Sequence, residues 1–249
     1  MKISLITVSY NSEDTIEDTF RSVVAQKGVD IEYIVIDGSS TDATLEIVKK
    51  YEDKIDVFLS EKDNGIYDAM NKGIQLASGE LIGILNSDDV FSHDEVLLKV
   101  ANAFLDSNVD GLYGDLVYVD RFDLDKVKRK WVAKPYNEGA FLKGWMPPHP
   151  TFYIRKQVYE NYGLFNLDFI SAADYEIMLR FIHKFNIKLA YLPEVMVKMR
   201  QGGQSNASLL NRIKANREDK RAWEVNGLKP GKLTLLQKPL SKVTQFLKR

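Results

Sequence analysis

Leu81-Ile82-Gly83-Ile84-Leu85-Asn86-Ser87-Asp88-Asp89 is a short apolar run that ends on two adjacent carboxylates. The apolar part reads as a strand. Side chains alternate along a strand, but a turn at its end can aim both acids at one point. Hard divalent cations take carboxylate oxygens, and phosphate groups take the cation. In open α/β sheets, ligands gather at the carboxyl ends of the strands. The stretch therefore marks a candidate Mg²⁺ or Mn²⁺ site for a phosphorylated substrate, with Asp88 and Asp89 as ligands. The structural alternative is that one of the acids caps a following helix.

Upstream of this strand the chain alternates regularly. Ile3–Ser9 reads as a buried strand, and Asn11 or Ser12 as a break and helix cap. Glu13 and Asp14 suit the first turn of a helix. Ile16, Phe20, Val23 and Val24 follow at helical spacing. Tyr33–Ile36 is a second strand, ending in Asp37-Gly38-Ser39-Ser40-Thr41-Asp42. Leu45 and Val48 mark a helix, Ile55–Leu59 a third strand, and Ile66, Met70, Ile74 and Ala77 one stripe of a further helix. Four strands separated by three helices predict an α/β fold with a parallel sheet. Downstream the pattern is mixed. Val96, Leu97, Val100 and Phe104 predict a helix, Gly111–Val119 and Lys128–Ala133 a pair of strands, and Tyr175–Phe185 a helix. Met146-Pro147-Pro148-His149-Pro150 must be loop, because proline interrupts both helix and sheet. Residues 207–249 read as helical stretches split at Gly227–Gly231 and at Pro239.

The 249 residues are 45% hydrophobic and 28% charged, as in ordinary soluble globular proteins. No apolar run is long enough to span a bilayer. The first residues enter a strand-like run directly, without the features of a secretory signal, and there is no cysteine. Both fit a cytoplasmic setting. Asn206-Ala207-Ser208 matches a glycosylation sequon, read here as chance. The net charge of −1 hides an asymmetry: residues 200–249 carry +9 and residues 1–199 carry −10. Such a basic tail is expected to meet an anionic surface, a diphosphate or the acidic body itself.

Three strand ends carry polar clusters that a parallel sheet would bring to one edge: Thr7, Ser9, Tyr10 and Asn11; Asp37, Ser39, Ser40 and Asp42; and Asn86, Asp88 and Asp89. No G-x-G-x-x-G follows the first strand, and no G-x-x-x-x-G-K-[ST] occurs. A dinucleotide-binding domain and a P-loop NTPase are therefore disfavoured. With no glycine cradle for phosphates, neutralisation falls to a metal.

Thr7-Val8-Ser9-Tyr10-Asn11, Ile36-Asp37-Gly38-Ser39-Ser40-Thr41-Asp42 and Asn86-Ser87-Asp88-Asp89, in this order and spacing, resemble the family 2 glycosyltransferases of GT-A fold. Glu61-Lys62-Asp63-Asn64-Gly65-Ile66-Tyr67-Asp68-Ala69-Met70-Asn71-Lys72-Gly73-Ile74 resembles that family's segment before the acid strand. Ala172-Ala173-Asp174-Tyr175-Glu176 resembles its catalytic-carboxylate motif, and Arg200-Gln201-Gly202-Gly203-Gln204-Ser205 the loop that follows. The likeness covers roughly residues 1–206. It implies a glycosyltransferase domain over 1–206, with a nucleotide-sugar-binding half at 1–105, an acceptor and catalytic half at 106–206, and a basic helical extension at 207–249.

The resemblance also implies roles. Thr7, Tyr10 and Asp37 would hold base and ribose, with Asp63 and Lys72 near the nucleotide or diphosphate. Asp88 would ligate Mn²⁺ or Mg²⁺, and Asp89 would share that task or hold the donor sugar. Relatives often have an acid where Asn86 stands, so Asn86 is expected behind the ligands. Asp174 would be the general base of an inverting transfer. Relatives often carry Glu before it, where this chain has Ala173. His149 would face donor or acceptor, and Arg200 and Ser205 would flank a glycine lid over the diphosphate; apart from the resemblance, Trp145 suits the acceptor side because sugars stack on aromatic faces, with a place in the core as the alternative. The implied reaction moves a sugar from a nucleotide diphosphate, UDP by expectation, to a hydroxyl of a saccharide or lipid-linked acceptor in cell-envelope polysaccharide synthesis. Nucleic acid is not an expected partner, and a homodimer is compatible. Leu240, Val243, Phe246 and Leu247, ringed by Lys242, Lys248 and Arg249, suit an interfacial helix on the inner face of the cell membrane, or one docked on the body or in a dimer. The rival readings are a catalytically silent nucleotide-sugar binder and a sugar-1-phosphate nucleotidyltransferase. The latter class calls for a glycine-rich basic loop that Thr7–Asn11 does not supply.

Overall fold

The structure is a computed structural model that describes residues 1–106, 108–202, 209–231, 233–235 and 237. The first part follows the predicted alternation: β1 (Lys2–Ser9), α1 (Ile16–Val24), β2 (Asp30–Asp37), α2 (Thr44–Lys50), β3 (Val57–Ser60), α3 (Ile66–Leu76) and β4 (Leu81–Ile84). These four strands are parallel, in the order β3-β2-β1-β4. Then come β5 (Asp89–Phe91), α4 (Val96–Ala103), β6 (Gly111–Val119), β7 (Val127–Trp131), β8 (Tyr153–Arg155), α5 (Lys156–Tyr162), α6 (Ala173–Met178), β9 (Leu189–Arg200) and α7 (Leu209–Val225). The sheet continues from β4 through β8, β6 and β9 to β5, with β7 on β6. β8 is antiparallel to both β4 and β6, β6 and β9 are parallel, and β5 is antiparallel to β9. The mixed second half and the parallel first half thus share one sheet.

Period-two alternation explains why the strands are buried on both faces. Ile6, Val8, Ile34, Ile36, Ile82 and Ile84 join one core with Met70 and Ile74 of α3 and the apolar side of α6. Ile3, Leu5, Tyr33, Val35, Leu81 and Leu85 join the other, with Ile16 and Phe20 of α1, Ile47 of α2 and Val96, Leu97 and Val100 of α4. Helix α3 lies hard against β1: a Cβ on Gly73 would come within 2.5 Å of Ile6.

Some local expectations need correction. Neither Asn11 nor Ser12 caps α1 through its side chain; the helix starts later, at Ile16, and Asn11 adopts φ +48° and reaches across to a neighbouring loop. Val24, Leu45 and Ile66 are exposed, because the stripes they were assigned to are narrower than the spacing implied. Strands β5 and β8, three residues each, and β9 were not anticipated. The predicted helix over 175–185 is α6 followed by a π-helical turn, Leu179–Lys184. Leu240, Lys242, Val243, Phe246, Leu247, Lys248, Arg249 and Ser205 lie outside the described residues.

Candidate active site

The carboxyl ends of β1 to β4 lie on one edge, as the parallel register requires: Ser9 pairs with Asp37, and Asp37 with Ser60. The loops after them are sewn together. Ser40 Oγ accepts from the Asn11 amide at 2.9 Å, and Asn11 Oδ1 from the Thr41 amide at 2.9 Å. Thr44 Oγ1 accepts from the Ser12 amide at 2.8 Å, and the Ser12 and Ser87 hydroxyls meet at 2.8 Å. The loop bearing the acid pair is therefore fixed to the loop after β1, which is fixed to the loop after β2.

Asp37 is wholly buried. One of its oxygens accepts from Ser9 and Ser40 hydroxyls, the other from the Ser40 amide at 2.9 Å and the Ser60 hydroxyl at 2.8 Å. The carboxylate thus binds three strand ends together beneath the edge. Thr7 is also fully buried and accepts a hydrogen bond from the Tyr33 hydroxyl at 3.0 Å. Above them the surface is open. Gly38 sits between Asp63 and Tyr10: a Cβ there would lie 2.6 Å from Asp63 Oδ2 and 3.4 Å from the Tyr10 ring, which is 58% exposed. Asp63 is held by the Gly65 amide at 2.9 Å. Lys72 pairs with Glu61 at 2.8 Å and more loosely with Asp68, and these carboxylates, with Asp63 behind them, hold its ammonium above the usual lysine range. Tyr10, Gly38 and Asp63 therefore form one aromatic and acidic notch, suited to a flat ring with N–H donors.

The acid pair behaves differently. Burial pushes the Asp88 carboxyl up, against the pull of Arg200 and Arg121. Burial, and then the charge of Asp88, push Asp89 well above the usual carboxylate range. Neither oxygen of Asp89 has a hydrogen-bond partner, and neither does Oδ1 of Asn86. The Arg200 amide and the Asn86 side chain lie near enough to offset part of the shift on Asp89, but outside hydrogen-bonding geometry. Buried oxygens without donors are costly unless something cationic completes them. Among the described residues no three His, Cys, Asp or Glu side chains gather at one point. A cation at Asp88 and Asp89 would thus draw its remaining ligands from water and substrate oxygens, as Mg²⁺ and Mn²⁺ commonly do. The donor set fits such an ion. Arg200 is buried rather than spread over the site. Its Nη2 pairs with Asp18 of α1, and its Nη1 donates to the Arg121 carbonyl at 2.8 Å.

Asp174 stands at the start of α6, half-buried, and accepts a hydrogen bond from the Tyr67 hydroxyl at 3.4 Å. Burial, then the Asp174 charge, push the Tyr67 hydroxyl up. His149 lies edge-on to Phe165, 5.7 Å between ring centres, and Phe165 stacks on Tyr67. Burial lowers the His149 pKa against the field of Asp174. Tyr118 of β6 is raised by burial and feels both Asp89 and Asp174, with Arg129 opposing them. Both acidic centres therefore lie within electrostatic range of one side chain. Trp145 packs among Tyr113, Tyr136 and Phe141 and donates from Nε1 to the Ala133 carbonyl at 2.7 Å. Tyr67, Tyr118, Arg121 and Asp18 were given no role from sequence. Tyr67 lies inside a quoted motif; the others become visible only once β6 and α1 are placed beside the acid pair.

The fold has counterparts in solved structures. A fragment of TarS from S. aureus, solved with UDP-GlcNAc, superposes with a TM-score of 0.67 at 21% identity, over 91% of this chain and 65% of that one. The mannosyltransferase PcManGT from Pyrobaculum calidifontis, solved with GDP-Man and Mn²⁺, gives 0.68 at 18% identity, over 98% and 69%. At such identities the likeness establishes the fold, which is GT-A. In sequence, an uncharacterized glycosyltransferase of Mycobacterium tuberculosis is 37% identical over 182 residues, 72% of this chain and 68% of its own. A Bacillus subtilis protein named for glycosyl transfer in teichuronic acid biosynthesis is 39% identical over 97 residues, 38% of each chain. The family model described as Glycosyl transferase family 2 matches residues 4–171, which take in most of β1, all of β2, β3 and β4, and the acid pair. With the GT-A sheet and two thirds of the sequence in agreement, this chain belongs to glycosyltransferase family 2 and is a glycosyltransferase.

Proposed function

We propose that the enzyme transfers a sugar, with inversion and with a divalent metal, from a nucleotide-diphosphate sugar to a hydroxyl of a saccharide or lipid-linked acceptor, in the assembly of a cell-envelope polysaccharide. One observation carries the reading: the Asp89 carboxylate is wholly buried in the field of Asp88 with no hydrogen-bond donor on either oxygen, the state of a ligand set that takes a cation. UDP is the nucleotide we favour, in line with the UDP-GlcNAc held by the TarS fragment. The relative named for teichuronic acid biosynthesis supports an envelope polymer as product.

In this reading Tyr10 and Asp63 hold the base, with Gly38 leaving room for it, while Asp37 and Thr7 keep the strand ends in place beneath. Lys72 adds positive charge near the notch. Asp88 and Asp89 hold Mn²⁺ or Mg²⁺, which when bound supplies positive charge to the departing diphosphate. Asp174 takes the proton of the acceptor hydroxyl as its oxygen bonds to the anomeric carbon, and the bond to the diphosphate oxygen breaks with its electron pair on the phosphate. Tyr67 touches the Asp174 carboxylate through a long hydrogen bond of 3.4 Å. His149 and Trp145 border the acceptor side, and Arg200 tempers the acid pair from its buried place beside Asp18. The division at residues 105 and 206 is the layout we propose for donor and acceptor halves, with 207–249 as a basic extension.

The test is a panel of nucleotide sugars scored by nucleotide release, in Mn²⁺ and in chelator, with Asp174→Asn alongside. Release should need the metal, and Asp174→Asn should lose about 10²–10⁴-fold in kcat while still binding UDP in Mn²⁺. Unchanged turnover in that variant would remove Asp174 from the chemistry.

A further inference from the structure

The family match stops at Ser171, yet the segment bearing Asp174 is held by a helix far beyond it. The hydrogen bond that Asp174 accepts from Tyr67 is long, 3.4 Å, so backbone placement fixes this carboxylate more than its own contacts do. That backbone is gripped by α7. Glu218 Oε1 accepts from the Ile170 amide at 3.0 Å, and its Oε2 from the Ser171 amide at 2.8 Å and the Ser171 hydroxyl at 2.9 Å. Burial opposes the charge on Glu218, but these hydrogen bonds prevail and hold its carboxyl below the usual range. Arg221 reaches the Asp168 carbonyl at 3.1 Å and covers the Phe169 ring. Trp223 Nε1 donates to the Tyr175 hydroxyl at 2.9 Å, and Asn226 Nδ2 to Glu176 at 2.9 Å. Ile170 itself is 87% exposed, so between the buried Phe169 and Ala172 the Ile170 and Ser171 amides are held by Glu218.

We propose that Glu218 is a positioning residue for sugar transfer: by holding the Ile170 and Ser171 amides it fixes the loop that presents Asp174 to the acceptor. The proposal rests on the reading of Asp174 as the base. It makes α7 part of the working enzyme and not an appendage to it. Nothing in the donor notch touches Glu218 among the described contacts, so its loss is felt in turnover and not in nucleotide affinity.

The experiment uses the full chain, with Glu218→Ala, Glu218→Gln, Ser171→Ala and Asp174→Asn measured together. The readings are kcat and KM by nucleotide release, UDP affinity in Mn²⁺ by calorimetry, and amide exchange over residues 168–176. Glu218→Ala should lower kcat about 10–100-fold, the scale of a displaced catalytic group. UDP affinity should stay within about twofold of the parent, and exchange at Ile170 and Ser171 should rise. Glu218→Gln, which keeps shape and one acceptor oxygen, should recover part of the rate. Should Glu218→Ala fail to fold, Glu218→Gln and Ser171→Ala carry the same test with smaller losses of kcat. Parental kcat in the Glu218 variants beside an inactive Asp174→Asn overturns the positioning role alone; parental kcat in Asp174→Asn overturns the base and this proposal with it.

Discussion

Asp37 closes β2 and Asp89 follows β4 to open β5, and the two acids look alike in sequence, yet their surroundings differ completely. Asp37 accepts hydrogen bonds on both oxygens from Ser9, Ser40 and Ser60. Asp89 accepts none and is pushed well above the usual range by burial and by Asp88. Residue types at strand ends were legible in the sequence, but which lone pairs are already occupied was not, because the donors arrive from three different loops. The difference has a measurable consequence. A carboxyl whose folded pKa is raised opposes folding once ionised, so without metal the penalty from Asp89 is absent below about pH 4 and grows as pH rises through the raised value. Asp89→Asn removes that charge. In chelator at neutral pH this variant should unfold about 1–3 kcal/mol harder than the parent, a few degrees in Tm. It should also lose metal-dependent nucleotide release. A lower melting point than the parent would show that Asp89 is not a strained ligand held ready for a cation.

At the scale of elements, β1, β2 and β4 could be read directly because they are mostly apolar and mostly buried on both faces, while β3, at the sheet edge, alternates half-buried and exposed residues. Strand β9 was hidden for the opposite reason: Pro193 and Glu194 interrupt it, and most of its residues are only half-buried. Strand β5 was hidden because it begins at Asp89, inside the very turn that the acid pair suggested. What the run of strand residues also conceals is the clasp at the far edge of the sheet. Glu32 of β2 accepts from Ser4 of β1, from the Ser78 amide at 2.7 Å and the Ser78 hydroxyl before β4, and from Lys2 at 3.3 Å. Burial alone would raise its pKa; these donors outweigh that and bring it down to about 2. The sign is opposite to that of Asp89. The stability Glu32 contributes is present above its unfolded pKa of about 4.3 and is lost as pH falls through 2. Glu32→Gln should cost at most about 3 kcal/mol at pH 7. The gap between variant and parent should close as the solution is taken toward pH 2, in denaturant titrations at a series of pH values. A gap independent of pH would mean that the clasp works by shape and not by charge.

The whole molecule separates its charge, with −10 over residues 1–199 and +9 over 200–249. Part of that basic stretch is engaged with the body: Arg200 with Asp18, and Arg221 with Asp168. The chain after α7 also returns to the body, since Thr234 is buried and donates to the Leu142 carbonyl at 2.6 Å. No helix of the described residues is long and apolar enough to cross a membrane. Beyond residue 237 the sequence still carries Lys238, Lys242, Lys248 and Arg249 and no acid, alongside Leu240, Val243, Phe246 and Leu247. A peripheral contact of that composition gains about 1 kcal/mol per basic residue near an anionic surface, plus the burial of its apolar side chains. Removing residues 239–249 leaves Thr234 and α7 in place, so the cut tests the tail without disturbing the loop that carries Asp174. In flotation with vesicles containing phosphatidylglycerol, the full chain should rise with the lipid and the shortened chain should not, while both release nucleotide at the same rate from a soluble acceptor. Raising the salt from 0.05 to about 0.5 M should weaken the binding of the full chain without abolishing it, because screening removes the charge contribution and leaves the apolar one. Equal flotation of the two chains would assign the tail to the body or to a second copy, and gel filtration of the same pair would tell those apart.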